Sequence, residues 1–435
     1  MKKEELTSRE IRRRRRIRSQ IAAYVTLAVM IILVIAGIFL GVKAVMKGMA
    51  AYDDKVSEAL AEAESNVTED VQSEAVQTQE SVSEETAVPV QSETAALDEL
   101  VNELLQEMTL EEKVAGMFIV SPESITGVGK VVQAGEGTKT ALTENPVGGI
   151  LYTEKNYKSE EQFLEMLTNT RAYSGYPLFL AVQRECGDID TFGIAATAKA
   201  SEMTSTDEVK NAFNAIAQKL TGYGINMNIA PVADVVSEEG NTALQGRTFG
   251  SDAATAAPLV NAAVQALQEK EISAVLTKFP GEGAVDTSQG MAITKTLEEL
   301  KNSEFATYQM AIQNGVDCIM VSNAKAPEVI GDETPCSLSS VMIQDTLRNT
   351  LGFEGIVMTD MLNDTSITSK YSDAEAAAAA IKAGADILVM PADYHKAYEG
   401  VMQAIADGTI TQERIQESLV RIYRVKYKHA LDNVE

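Results

Sequence analysis

The stretch Gly352-Phe353-Glu354-Gly355-Ile356-Val357-Met358-Thr359-Asp360-Met361-Leu362 decides the fold. A short apolar run from Gly355 to Met358 leads into a carboxylate, and the residues before it, Leu347 to Leu351, read as the end of a helix. A buried strand that delivers an acid at its C-terminal tip is how a parallel α/β barrel places reactive groups, because that face carries the loops and the open pocket. Similar β-like runs recur at 116–120, 149–152, 178–183, 225–230, 274–279, 318–322 and 385–390, which with 355–360 makes eight. Stretches such as 207–220, 253–269, 297–314 and 374–383 lie between them, with good helix formers and apolar residues near the 3.6 period. Strand alternating with helix predicts a parallel sheet, and eight such units predict closure into an α/β (β/α)8 barrel over residues 97–432.

The chain before the barrel divides by composition. Residues 1–20 form a basic tail, with Arg12 to Arg16 at its centre. Residues 21–42 are apolar without a charge, about long enough for a ~30 Å hydrocarbon core. The reading is one transmembrane helix acting as an uncleaved signal anchor, N-terminus in the cytoplasm and barrel outside. A cleaved signal peptide fits less well, since the apolar core exceeds the usual ~7–15 residues. Residues 43–96 are rich in Ser, Glu, Thr and Gln with few large aliphatics, which predicts a disordered acidic linker.

Composition narrows the chemistry. The chain has 37 basic and 63 acidic residues, a net charge of −26. The basic tail next to an apolar run suits a membrane and not nucleic acid. Cys186, Cys318 and Cys336 fit neither a disulfide framework nor a zinc motif, and two histidines, His395 and His429, cannot build a histidine-rich metal centre. No cofactor or metal is expected. The absence of Trp removes the largest stacking surface for long polysaccharides.

Several segments together resemble one family. Met108-Thr109-Leu110-Glu111-Glu112-Lys113-Val114, Gly224-Ile225-Asn226-Met227-Asn228-Ile229-Ala230-Pro231, Gly246-Arg247-Thr248-Phe249-Gly250, Thr277-Lys278-Phe279-Pro280-Gly281-Glu282-Gly283 and the Asp360 segment follow in order. From Met108 to Tyr427 the chain resembles glycoside hydrolase family 3, in particular its single-domain bacterial β-N-acetylhexosaminidases. The resemblance implies a retaining glycosidase barrel acting on amino-sugar linkages of carbohydrate, with a carboxylate nucleophile and an acid ~5–5.5 Å away.

Residue by residue, the resemblance makes Asp360 the candidate nucleophile; the plainer reading is an Asp that caps the following helix. The acid implied by that branch is a histidine in an Asp-Ser-His loop. The matching stretch here is about Asp286-Thr287-Ser288-Gln289, and no histidine precedes His395. Glu282 and Asp286 are replacement candidates if burial or the proximity of Asp360 raises their pKa; the plainer and preferred reading is a solvated acidic loop. Among implied sugar contacts, Gln183 stands where the family has Asp, Glu185 is kept, and Lys278 stands where the family has His. Arg247 is also kept, either as a sugar clamp or in a structural ion pair with Asp234 or Glu185. Two functions follow: a surface-anchored protein that binds or weakly hydrolyses amino-sugar glycans of cell-wall type, or a silent barrel that binds glycan or protein.

Overall fold

The computed structural model describes residues 90–428, apart from 188–190, 237–240, 284 and 286–290. Eight parallel strands form one sheet: β1 (Phe118–Val120), β2 (Gly149–Leu151), β3 (Phe179–Val182), β4 (Met227–Asn228), β5 (Ser273–Phe279), β6 (Cys318–Val321), β7 (Ile356–Thr359) and β8 (Leu388–Val389). Neighbours pair in chain order from β1 to β7, and β8 pairs with β1 at Phe118↔Leu388 and Ile119↔Val389. Closure comes from a bridge between Met358 and Ile387, with the Thr359 amide donating to the Ile387 carbonyl at 3.0 Å. All eight apolar runs are strands of an α/β barrel.

Residues of β3, β5, β6 and β7 are buried almost throughout, as expected of strands covered by helices on one face and barrel core on the other. The helices start and stop where their end residues dictate. Ser205 caps Thr206–Tyr223 in a reciprocal box with Glu208, and Gly224, at φ 75°, ends it in a left-handed turn. Ser372 and Glu375 do the same for Asp373–Ala383.

Two differences from the sequence reading have physical causes. β4 is short because side-chain amides replace its rungs: Asn226 accepts from the Leu180 amide at 2.8 Å, and Asn228 accepts from the Arg184 amide at 2.9 Å. The helical stretch 297–314 is broken into Leu297–Lys301 and Phe305–Gln313, because Glu304 turns inward to pair with Lys295 and is 2% exposed.

The helix Val90–Glu107 takes in the last residues read as linker, and Val101 and Leu105 on it are fully buried. The proposed boundary at 96/97 therefore falls inside this helix. The basic tail, the 21–42 anchor and the rest of the linker lie outside the described residues. Among the described residues no helix is long and apolar enough to cross a membrane.

Candidate active site

The C-terminal ends of β5, β6 and β7 bring three charged groups together. Asp360 follows β7 directly; its amide donates to the Val321 carbonyl at 2.8 Å, which ties the turn to β6. Its Oδ1 accepts from the Met361 amide at 2.8 Å, and its Oδ2 lies 3.3 Å from Lys278 Nζ. Lys278, the penultimate residue of β5, has φ 78°, a left-handed conformation that a non-glycine residue rarely adopts and that marks strain near functional sites. Its ammonium also lies 3.4 Å from the Glu282 carboxylate.

Glu282 is 3% exposed. Its carboxylate accepts from the Ser322 hydroxyl, and its amide donates to Asp234. The preferred reading of Glu282 as part of a solvated loop is therefore corrected. Gly281, at φ 132°, lets the chain turn so that Glu282 reaches Asp234, Ser322 and Lys278. Gly283 is required here, since a Cβ on it would stand 1.6 Å from the Val235 carbonyl oxygen.

Charge and burial compete in this cluster. Burial pushes the Glu282 pKa up, opposed by the Lys278 charge and the Ser322 hydrogen bond, and the net direction is upward. Burial works against the Lys278 ammonium, but the charges of Asp360 and Glu282 outweigh it and hold its pKa above the ordinary lysine value. Behind them Asp234, fully buried, is pushed up to about 8 by burial, although the Val235 and Glu282 amides both donate to it.

A second group surrounds β3 and the loop after β4. Arg247 grips Glu185 with two parallel bonds, Nε to Oε2 at 2.8 Å and Nη2 to Oε1 at 2.7 Å. Gln183, exposed, donates to Glu185 at 3.2 Å. The Arg247 partner is thus Glu185 and not Asp234. That bond raises the Arg247 pKa, and the charges of Glu282 and Asp360 add to it, so both groups share one field. Gln183, Glu185, Cys186, Gln245 and Arg247 help to line a cleft of about 410 Å³, within the usual range for small ligands. Asp360 and Lys278 do not line it.

Of the residues singled out from sequence, Asp360, Lys278 and Glu282 meet, and Arg247, Glu185 and Gln183 meet. Asp286 lies outside the described residues. The sequence reading missed Ser322, although it directly follows β6 as Asp360 follows β7, and the same strand-tip rule finds it. Asn323, the next residue, donates to the Met361 carbonyl at 2.8 Å and so braces the turn that carries Asp360.

A parallel eight-stranded barrel with an acid at the tip of its seventh strand, ion-paired to a lysine from the fifth, defines the class: an α/β barrel with charged groups gathered at its strand ends. The chain belongs to glycosyl hydrolase family 3, whose N-terminal domain model matches residues 109–425. It is 29% identical over 301 residues to an uncharacterized secreted glycosyl hydrolase of Arthroderma benhamiae, covering 64% of this chain and 84% of that protein. It is 30% identical over 277 residues to a β-N-acetylglucosaminidase/β-glucosidase of Cellulomonas fimi, covering 60% of this chain and 49% of that protein, so it spans about half the length of that relative. Among solved structures, a glycoside hydrolase family 3 β-N-acetylglucosaminidase from Paenibacillus sp. str. FPU-7 superposes with a TM-score of 0.69 at 26% identity, covering 75% of this chain and 64% of that one.

Proposed function

We propose that this protein binds amino-sugar glycans of cell-wall type at the barrel mouth and hydrolyses them weakly. The observation that carries this reading is the separation of two halves of a mechanism. Asp360 keeps the nucleophile's place at the strand tip, while no histidine anywhere before His395 can serve as the branch's acid. Glu282, the replacement candidate inside the described residues, is buried beneath Lys278, which favours a supporting role over proton delivery to a substrate. General acid help contributes ~10²–10⁴ in rate, and sugar leaving groups depend on it most.

The amino-sugar class is supported by the named activities of the Cellulomonas and Paenibacillus relatives. An outer location is supported by the secreted Arthroderma relative and by the uncharged 21–42 run behind a basic tail, which we propose anchors the chain with its barrel outside. A silent binding module is the second reading, favoured by the contact that already occupies Asp360.

The test sets calorimetric binding of N-acetylglucosamine oligomers beside turnover of natural disaccharides and aryl β-N-acetylglucosaminides. Binding is expected, with measurable turnover on the activated aryl substrates alone and none in Asp360→Asn. Rapid hydrolysis of an unactivated disaccharide would sink the weak-enzyme reading. Absence of any amino-sugar binding would sink both.

A further inference from the structure

We infer that Lys278 is an electrostatic brake on Asp360, held in place by Glu282 and Ser322, so that the mouth keeps a nucleophile it cannot use efficiently. This rests on the amino-sugar reading of the same site and adds a specific residue to it.

Both Asp360 oxygens are engaged, Oδ1 by the Met361 amide at 2.8 Å and Oδ2 by Lys278 Nζ at 3.3 Å. The lysine is fixed from two directions. Its backbone is locked at φ 78° on a strand whose next residue, Phe279, is fully buried against Phe305 and Tyr308. Its ammonium rests 3.4 Å from Glu282, which Ser322 holds in turn. Glu282 is thus a positioning residue. Lys278 itself is 22% exposed and so faces the side from which a ligand would approach.

The chemistry explains why such an ammonium would slow the reaction. Asp360 would form a C1–O ester bond as the C1–O bond to the leaving group breaks, the bonding pair departing with that group. Water would then attack C1, the pair would return to Asp360, and a proton would pass to solvent. In both steps the transition state carries positive charge on the sugar ring. A cation held beside the nucleophile opposes that developing charge, and for two full charges about 5 Å apart at an effective dielectric of about 20 the slowing reaches about 10²-fold as an upper limit. It also stabilises the free carboxylate, which must give up charge as the ester forms.

The experiment uses the full-length protein and 2,4-dinitrophenyl N-acetyl-β-glucosaminide, whose phenolate leaves without a proton. Dinitrophenolate release is followed in the wild type, Lys278→Met, Lys278→Gln, Lys278→Arg and Lys278→Met/Asp360→Asn. Thermal melting confirms folding, and calorimetry with N-acetylglucosamine reports binding. Lys278→Met and Lys278→Gln should release phenolate at least about tenfold faster than wild type. Lys278→Arg, which keeps the charge, should stay slow, and the double variant should release none. If the folded neutral variants are no faster while the wild type binds the sugar, the brake is wrong and Lys278 is a sugar clamp or a structural group. If Lys278→Arg is as fast as Lys278→Met, size and not charge is responsible, and the inference also falls. If the wild type binds no amino sugar and no folded variant turns over, the underlying reading fails and takes the inference with it.

Discussion

Asp360 and Glu282 carry the same functional group in opposite circumstances. Asp360 is a fifth exposed, while the Glu282 side chain is 4% exposed and backed by the buried Asp234. The first was legible in sequence because an acid at the end of an apolar run has one natural place in a parallel barrel, the strand tip. The second was not, because nothing in Pro280-Gly281-Glu282-Gly283 states that the loop folds inward. That follows from Asp234 accepting the Glu282 amide and from space that only Gly283 fits. The two carboxylates should respond differently to loss of charge. Asp360→Asn should shift stability by less than about 1 kcal/mol, since the Lys278 pair is partly exposed and Glu282 remains beside the lysine. It should abolish any release from activated aryl glycosides. Glu282→Ala should cost about 1–3 kcal/mol, because Ser322 and Lys278 lose a buried partner. Urea denaturation of both variants, read with the phenolate assay, separates the roles; a more destabilised Asp360→Asn would make Asp360 chiefly structural.

At the scale of elements, all eight strands were readable from short apolar runs, and the sequence reading erred where side chains substitute for backbone. Asn226 and Asn228 shorten β4 in this way, a role that no periodicity reveals. The joint between β7 and β8 was equally hidden. Asp386, fully buried, accepts from Arg348 at 2.6 Å, Arg421 at 3.1 Å, Ser418 at 2.7 Å and the Val357 amide at 2.9 Å. One carboxylate thereby links the π-helix Val341–Thr350, the helix Gln412–Tyr427 and strand β7. Sequence showed each of these residues singly, but their convergence depends on contacts across tens of residues. Asp386→Ala should cost about 3–5 kcal/mol, because it removes the fully buried carboxylate on which two partly buried guanidinium groups, the Ser418 hydroxyl and the Val357 amide converge. Val357→Ala, at a fully buried site on β7, should cost about 1–3 kcal/mol through lost burial and the cavity left behind. Urea midpoints measured together give the order. If Val357→Ala were the costlier, the arginine cluster would be a peripheral feature and not the fastening of the barrel seam.

For the whole molecule, the barrel that presents Asp360 also stores acids behind it, and this should appear in how stability depends on pH. Burial pushes Asp234 up to about 8 from an ordinary value of 3.8, and Glu282 is raised in the same direction. The folded protein therefore keeps protons that the unfolded chain releases. Between about pH 4 and pH 8 the unfolded state binds fewer protons, so stability falls as pH rises through this window and levels off above it. Lys278, also raised, would lose its contribution only above the ordinary lysine range, outside this window. Asp234→Asn removes one titrating group and should flatten the slope between pH 5 and pH 8, even if the amide costs about 1–2 kcal/mol at pH 5 by facing the Glu282 amide with a donor. The check is a set of urea midpoints at pH 5, 6, 7 and 8 for both proteins. A wild type whose stability does not change between pH 5 and pH 8, with a variant that is equally flat, would mean Asp234 is ionised throughout the window and held by its two backbone donors. The acids behind the mouth would then repel Asp360 and strengthen the hold of Lys278. A falling curve that flattens in Asp234→Asn means that Asp234 stays neutral over most of that range and leaves the contest for the lysine to Asp360 and Glu282.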